Sequence, residues 1–129
     1  MEGLANQPRY PANWGVRFLC ECKKLDKEFN IHKGIAHEIS SNSVRILSDH
    51  CICQQKKIAM QLLIPSLISD APQKIVKIIG NSINTIKNDG KFLTEIEFLH
   101  FEEDGLKVLE RILHRRFDPY FYEQSALQA

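Results

Sequence analysis

The chain has 129 residues, 43% of them hydrophobic and 26% charged, with a formal net charge of +1. That composition suits one ordinary globular domain with a core of its own and excludes a disordered segment. Near neutrality excludes a general electrostatic pull toward nucleic-acid polymers or membranes, so any anion site must be local.

Residues 1–15 carry Gly3, Pro8, Pro11 and Gly15, a density that stops helix or strand from propagating. They are expected to form a flexible arm, with the globule covering residues 16–117 and a tail residues 118–129. The segment Met1 to Pro8 lacks the apolar core of a secretory signal, and no apolar run reaches the length of a membrane span. The expected setting is cytoplasmic, where the four cysteines would be reduced thiols.

From Val16 the pattern has period two. Val16, Phe18, Cys20 and Cys22 alternate with polar or larger neighbours, as in a half-buried strand. Further strands are expected over Phe29 to Ile39, Val44 to Leu47, and Lys57 to Ile64. The last of these has Ile58, Met60, Leu62 and Ile64 on one face. Ile75 to Ile86 reads as a long strand, with Gly80 marking a bulge or bend. Asn88-Asp89-Gly90 is a strong turn signal, because these residues tolerate left-handed dihedrals. Lys91 to Leu99 returns, with Phe92, Thr94, Ile96 and Phe98 on one face.

The period then changes. Leu106, Leu109, Ile112, Leu113 and Phe117 recur at three- and four-residue spacing, the mark of an amphipathic helix. Acidic Glu102, Glu103 and Asp104 begin it, basic Arg111, His114, Arg115 and Arg116 lie near its end, and Pro119 is expected to close it. Six short strands and a helix predict a small six-stranded antiparallel β-barrel with a C-terminal α-helix.

Several features point away from chemistry. The sequence holds no phosphate-cradling Gly-rich loop, nucleophile elbow or carboxylate dyad, so no enzyme is expected. Cys20-Glu21-Cys22 and Cys51-Ile52-Cys53 could offer four thiolates to zinc. Structural zinc sites usually space their cysteines by two to four residues, so Cys20 and Cys22 read better as small core residues, and no metal site is expected. The five histidines (32, 37, 50, 100 and 114) lack ligand spacing. Trp14 reads as a hydrophobic clamp on the barrel. Leu63, Leu67 and Ile68 read as loop packing or, more sharply, a docking patch.

The segment His37-Glu38-Ile39-Ser40-Ser41-Asn42-Ser43-Val44-Arg45-Ile46-Leu47 resembles the second signature of PilZ domains. That signature is Asp or Asn, any residue, Ser, two residues, then Gly. Arg9-Tyr10-Pro11-Ala12-Asn13-Trp14 is similar to the first signature, two arginines separated by three residues. Gly90-Lys91-Phe92-Leu93-Thr94-Glu95-Ile96-Glu97-Phe98 resembles the family's late strand. The resemblance covers roughly residues 9 to 117.

It implies a PilZ-like barrel and a regulatory module in bacterial cyclic di-GMP signalling, with no catalytic residues. The implied ligand groups are Arg9, Asn13, Arg17, Glu38, Ser40 and Ser43. A guanidinium forks onto phosphate and lies flat on guanine, while the acidic residue and serine read the base edge. Arg9 and Ser40 match. Asn13 replaces the second arginine, Glu38 replaces Asp or Asn, and Ser43 replaces glycine. Each charged hydrogen bond lost costs on the order of 1.5–3 kcal/mol, so binding about a hundredfold weaker, or none, is expected. Arg17, Arg45 and His37 are the candidates to compensate. The alternative expectation is a ligand-independent adaptor acting through an unidentified protein partner. A zinc or redox module ranks below it.

Overall fold

The structure is a computed structural model, and it describes residues 9–20, 31–52, 54–67 and 71–128, with the side chains of Cys20 and residues 118–128 outside the description. Six strands, β1 (Tyr10–Cys20), β2 (His32–Ile39), β3 (Ser43–Ser48), β4 (Lys57–Ile64), β5 (Lys74–Asn88) and β6 (Lys91–Phe101), precede one helix, α1 (Gly105–Gln128). All pairings are antiparallel, and the strands close in the order β1-β2-β3-β6-β5-β4. This is the expected barrel.

Alternation fills the interior. Val16 and Phe18 of β1, Ile46 of β3, Ile58, Met60, Leu62 and Ile64 of β4, Ile78 of β5, and Ile96 of β6 are all nearly inaccessible. Thr94 also points inward, and its hydroxyl lies 3.1 Å from that of Thr85, so the buried polar group is partnered. Phe92 and Phe98 share its strand but are only half-buried.

Two glycine positions bear on closure. At Gly80 the β5–β6 register shifts, the bulge that its place in an apolar strand suggests. At Gly90 the backbone turns with φ 80°, after Asp89 at φ 54°, the pair of positive values that a tight hairpin requires.

β1 starts at Tyr10 and not at Val16, so Tyr10–Gly15 belong to the sheet rather than to an arm. The reason is local. Tyr10 to Trp14 pair with β2, whereas pairing with β4 begins only at Gly15. Pro11, which lacks an N–H, therefore costs no bond to β4. Asn13 absorbs the irregularity between Pro11 and Trp14 with φ 53°. Residues 1–8, Phe29, Cys22, Cys53 and Ile68 lie outside the described residues, so the expectations placed on them are not addressed by the structure.

Helix α1 plugs one end of the barrel with Leu109, Ile112 and Leu113, assisted by half-buried Val108 and Phe117. Leu106, expected on that face, is 39% exposed, and Gly105 is the residue that packs inward at the first turn. Asp104 precedes the helix and its carbonyl accepts from Val108 N–H at 3.0 Å. The helix also passes Pro119 and continues to Gln128, correcting the expected stop. Proline's fixed φ is compatible with helix, so the ring removes one hydrogen bond without forcing an end.

The plug is pinned to the start of β1. The rings of Tyr10 and Phe117 stack at 4.6 Å. Arg116 lies 5.8 Å over the Trp14 ring and donates to the Pro65 carbonyl at 2.7 Å. Trp14 is 4% exposed, in keeping with a clamp. Among the described residues no helix is long and apolar enough to cross a membrane.

Candidate functional site

The site begins from register. Pro11 faces Glu38, Glu38 faces Arg45, and Arg45 faces Glu95, so β1, β2, β3 and β6 each place one residue in a single row around the barrel. The inward neighbours Ile39, Val44 and Ile96 are buried, which puts the charged row on the outer wall. Its charges alternate. Arg45 Nη1 donates to Glu38 Oε1 at 3.2 Å, and Arg45 Nε lies 3.7 Å from Glu95 Oε1. Arg9, one residue before β1, closes the set by donating through Nη2 to Glu95 Oε2 at 2.5 Å.

Arg9 does lie beside the Glu38–Ser43 bend, since its neighbour Tyr10 pairs with Ile39. Its guanidinium is nonetheless tied to a carboxylate. Two arginines and two glutamates cancel, and every one of them is partly shielded from water. Partial burial makes such pairs stronger than fully exposed ones, which contribute little.

Ser40 and Ser43 are each 1% exposed and serve the bend itself. Ser40 Oγ accepts from the N–H groups of Asn42 (3.2 Å) and Ser43 (3.1 Å), and donates to Asn42 Oδ1 at 2.8 Å. The two serine hydroxyls lie 3.2 Å apart. The backbone is held too, with Ser40 N–H donating to the Ser43 carbonyl at 2.9 Å and Phe98 N–H to Asn42 at 2.9 Å. This is the local side-chain-to-backbone bonding that short hydroxyl residues make at turns.

Asn13 is exposed on the β1 bulge. Arg17 is not at the bend. It sits further along β1 opposite Lys33 and Gln61, roughly 25 Å from Arg9 at the strand rise, and cannot stand in for the second arginine. His37 is exposed on β2. The depression beside Arg45 and Glu95, lined also by Asn84, Ile86 and Leu93, holds about 130 Å³. Ligand pockets generally run from about 300 to 1,000 Å³.

Sequence reasoning missed Glu95. Its alternation with Thr94 and Ile96 marks it as outward, but its meeting with Arg9 and Arg45 depends on which strands close the barrel. It also missed a pair at the opposite end, where His32 and His50 stack at 3.7 Å beside Phe18. His50 Nε2 is buried with no hydrogen-bond partner among the described residues. Burial first, and the neighbouring His32 second, hold His50 below its ordinary value of 6.5.

The sign of the consequence follows. The unfolded chain takes up the proton first, so the stability contributed by neutral His50 is full above pH 6.5 and is lost as pH falls through that value toward the lower folded one. Urea unfolding at about pH 7.5 and about pH 5.5 should show the loss, and His50→Gln should reduce its slope. An unchanged slope in the variant would assign the pH dependence elsewhere.

The fold is PilZ-like: a closed six-stranded antiparallel barrel followed by one C-terminal helix. A solved structure similar to it is the Bacillus subtilis inhibitor of motility, MotI/DgrA, with a TM-score of 0.65 over 86% of this chain at 12% identity. The chain spans 49% of that protein's length. No family profile and no curated protein sequence matches the chain.

Proposed function

We propose that this chain is a non-catalytic, PilZ-type regulatory module in bacterial cyclic di-GMP signalling, acting in the cytoplasm with weak or lost ligand binding and passing its effect on through a protein partner. One observation carries the reading. Three of the polar groups that the resemblance assigns to ligand are already satisfied within the barrel: Arg9 by Glu95, Glu38 by Arg45, and Ser40 by its own turn. A bis-phosphate ligand must displace Glu95 from Arg9 before it can use the guanidinium, and the adjoining depression is small. The similarity in fold to an inhibitor of motility supports regulation over catalysis.

The same observation favours the adaptor reading, in which the network simply rigidifies the barrel and partners bind side chains elsewhere. Calorimetry with cyclic di-GMP separates the two. Weak saturable heat, abolished in Arg9→Ala, supports residual binding at the bend. A flat trace for the wild type leaves the adaptor. Saturable binding tighter than about 1 μM (about 8 kcal/mol) would sink the proposal that the site is degraded.

A further inference from the structure

A second cavity of the barrel lies away from the bend. It is an open groove of about 510 Å³ on the outer wall of β1, β4 and β5, within the size range of small-molecule sites. Its floor follows from two adjacent register rows. One row is apolar: Leu19 faces Ala59, and Ala59 faces Ile79. The other is polar: Arg17 faces Gln61, and Gln61 faces Lys77, with Lys33 flanking Arg17 on the β2 side. Ile31 and Glu102 complete the rim.

Arg17 is the unusual member. Its Nε is buried and has no hydrogen-bond partner among the described residues. An arginine with a desolvated, unsatisfied N–H is costly unless something accepts from it, because the lost hydration is not replaced. Among the described residues Glu102 is the acidic group on the rim; it follows β6, is exposed, and forms no ion pair with Arg17. Arg17 and Lys77 outweigh it, so the groove is net cationic at its polar side and apolar at the other.

We propose that this groove is a binding site for a small amphiphilic anion, whose carboxylate or phosphate head lies on Arg17 and whose hydrocarbon body lies along Leu19, Ala59 and Ile79. The head supplies acceptors to the Arg17 guanidinium, whose Nε has none among the described residues, and the planar fork matches either oxyanion. The body covers an apolar row that strand alternation leaves facing water. The site is separate from the bend and does not depend on cyclic di-GMP binding there.

The test uses the full chain labelled with ¹⁵N. Decanoate and decyl phosphate, each kept below its micelle-forming concentration, are titrated while the amide spectrum is followed, with decanol as the uncharged control. Saturable shifts should centre on residues 17, 19, 59, 61, 77 and 79. Arg17→Gln should weaken binding roughly tenfold or more, the loss of one charged hydrogen bond, and Arg9→Ala should leave it unchanged. Binding by either anion on these terms supports the site, and the tighter of the two identifies the head group. Ala59→Trp, at an exposed strand position, should block the groove without removing a charge, which keeps the test decisive if Arg17→Gln folds poorly. Equal binding of decanol, shifts scattered over exposed Leu67, Ile75 and Leu99, or full affinity in Ala59→Trp would overturn the proposal.

Discussion

Gly80→Ala is expected to destabilise the barrel by about 2–3 kcal/mol, the upper part of the range for overpacking a tight core. An added Cβ would lie 2.5 Å from Ile96 Cγ2 and 2.8 Å from the Glu97 carbonyl oxygen. The first neighbour is a side chain with one packed rotamer and the second is backbone of the paired strand, so neither yields cheaply. The bulge there also shifts the register of β5 against β6. Urea unfolding should show a lower midpoint at unchanged slope. Ile96→Ala, which removes the crowding Cγ2, should relieve part of the strain in the same chain, giving a double mutant more stable than the sum of the two changes. A stability within about 0.5 kcal/mol of wild type, the range of ordinary surface substitutions, would show that β5 and β6 do not approach as described.

Glu95→Gln is expected to raise affinity for cyclic di-GMP by about tenfold, or about 1.4 kcal/mol. Arg9 would no longer be held by a carboxylate, and the ligand's phosphates would no longer meet a negative charge beside it. The amide keeps the shape of the side chain, so the barrel should persist. The gain should vanish in the double variant with Arg9→Ala, because the freed guanidinium is its source. Calorimetry on the three proteins decides the matter. A flat trace in Glu95→Gln as in the wild type would mean that the bend binds no such ligand even when unlatched, and would leave protein contact as the mode of action.

What could be read in advance depended on whether the signal was local. Lys57–Ile64 was legible to the residue because Ile58, Met60, Leu62 and Ile64 alternate strictly and Pro65 follows. The Asp89-Gly90 turn and the Gly80 bulge were legible because each needs a residue type that few sequences place there by chance. The start of β1 was obscured by Gly15 and by Pro11, whose breaker character matters less where the strand has a neighbour on one side only. The helix end was misjudged at Pro119, since a proline weakens a helix without always stopping it.

The bend itself was visible through its resemblance to a known motif, and so was the nearness of Arg9. The chemistry of the bend was not visible. Glu95 meets Arg9 across two intervening strands of a closed wall, β2 and β3, a relation that no spacing in the chain encodes. Arg17 looked like a substitute for a missing arginine only because the first strand was taken to start late; the extended strand carries it far from the bend.

One peptide bond joins two attachments that hold different parts of the molecule. Arg9 is fastened to β6 through Glu95, and the very next ring, Tyr10, lies flat against Phe117 of the plug. Movement of the Arg9 guanidinium is therefore linked to the Tyr10–Phe117 contact across one Cα–Cα step of about 3.8 Å. Under the proposed regulatory reading, the group that would meet a ligand and the ring that holds the plug are neighbours in the chain.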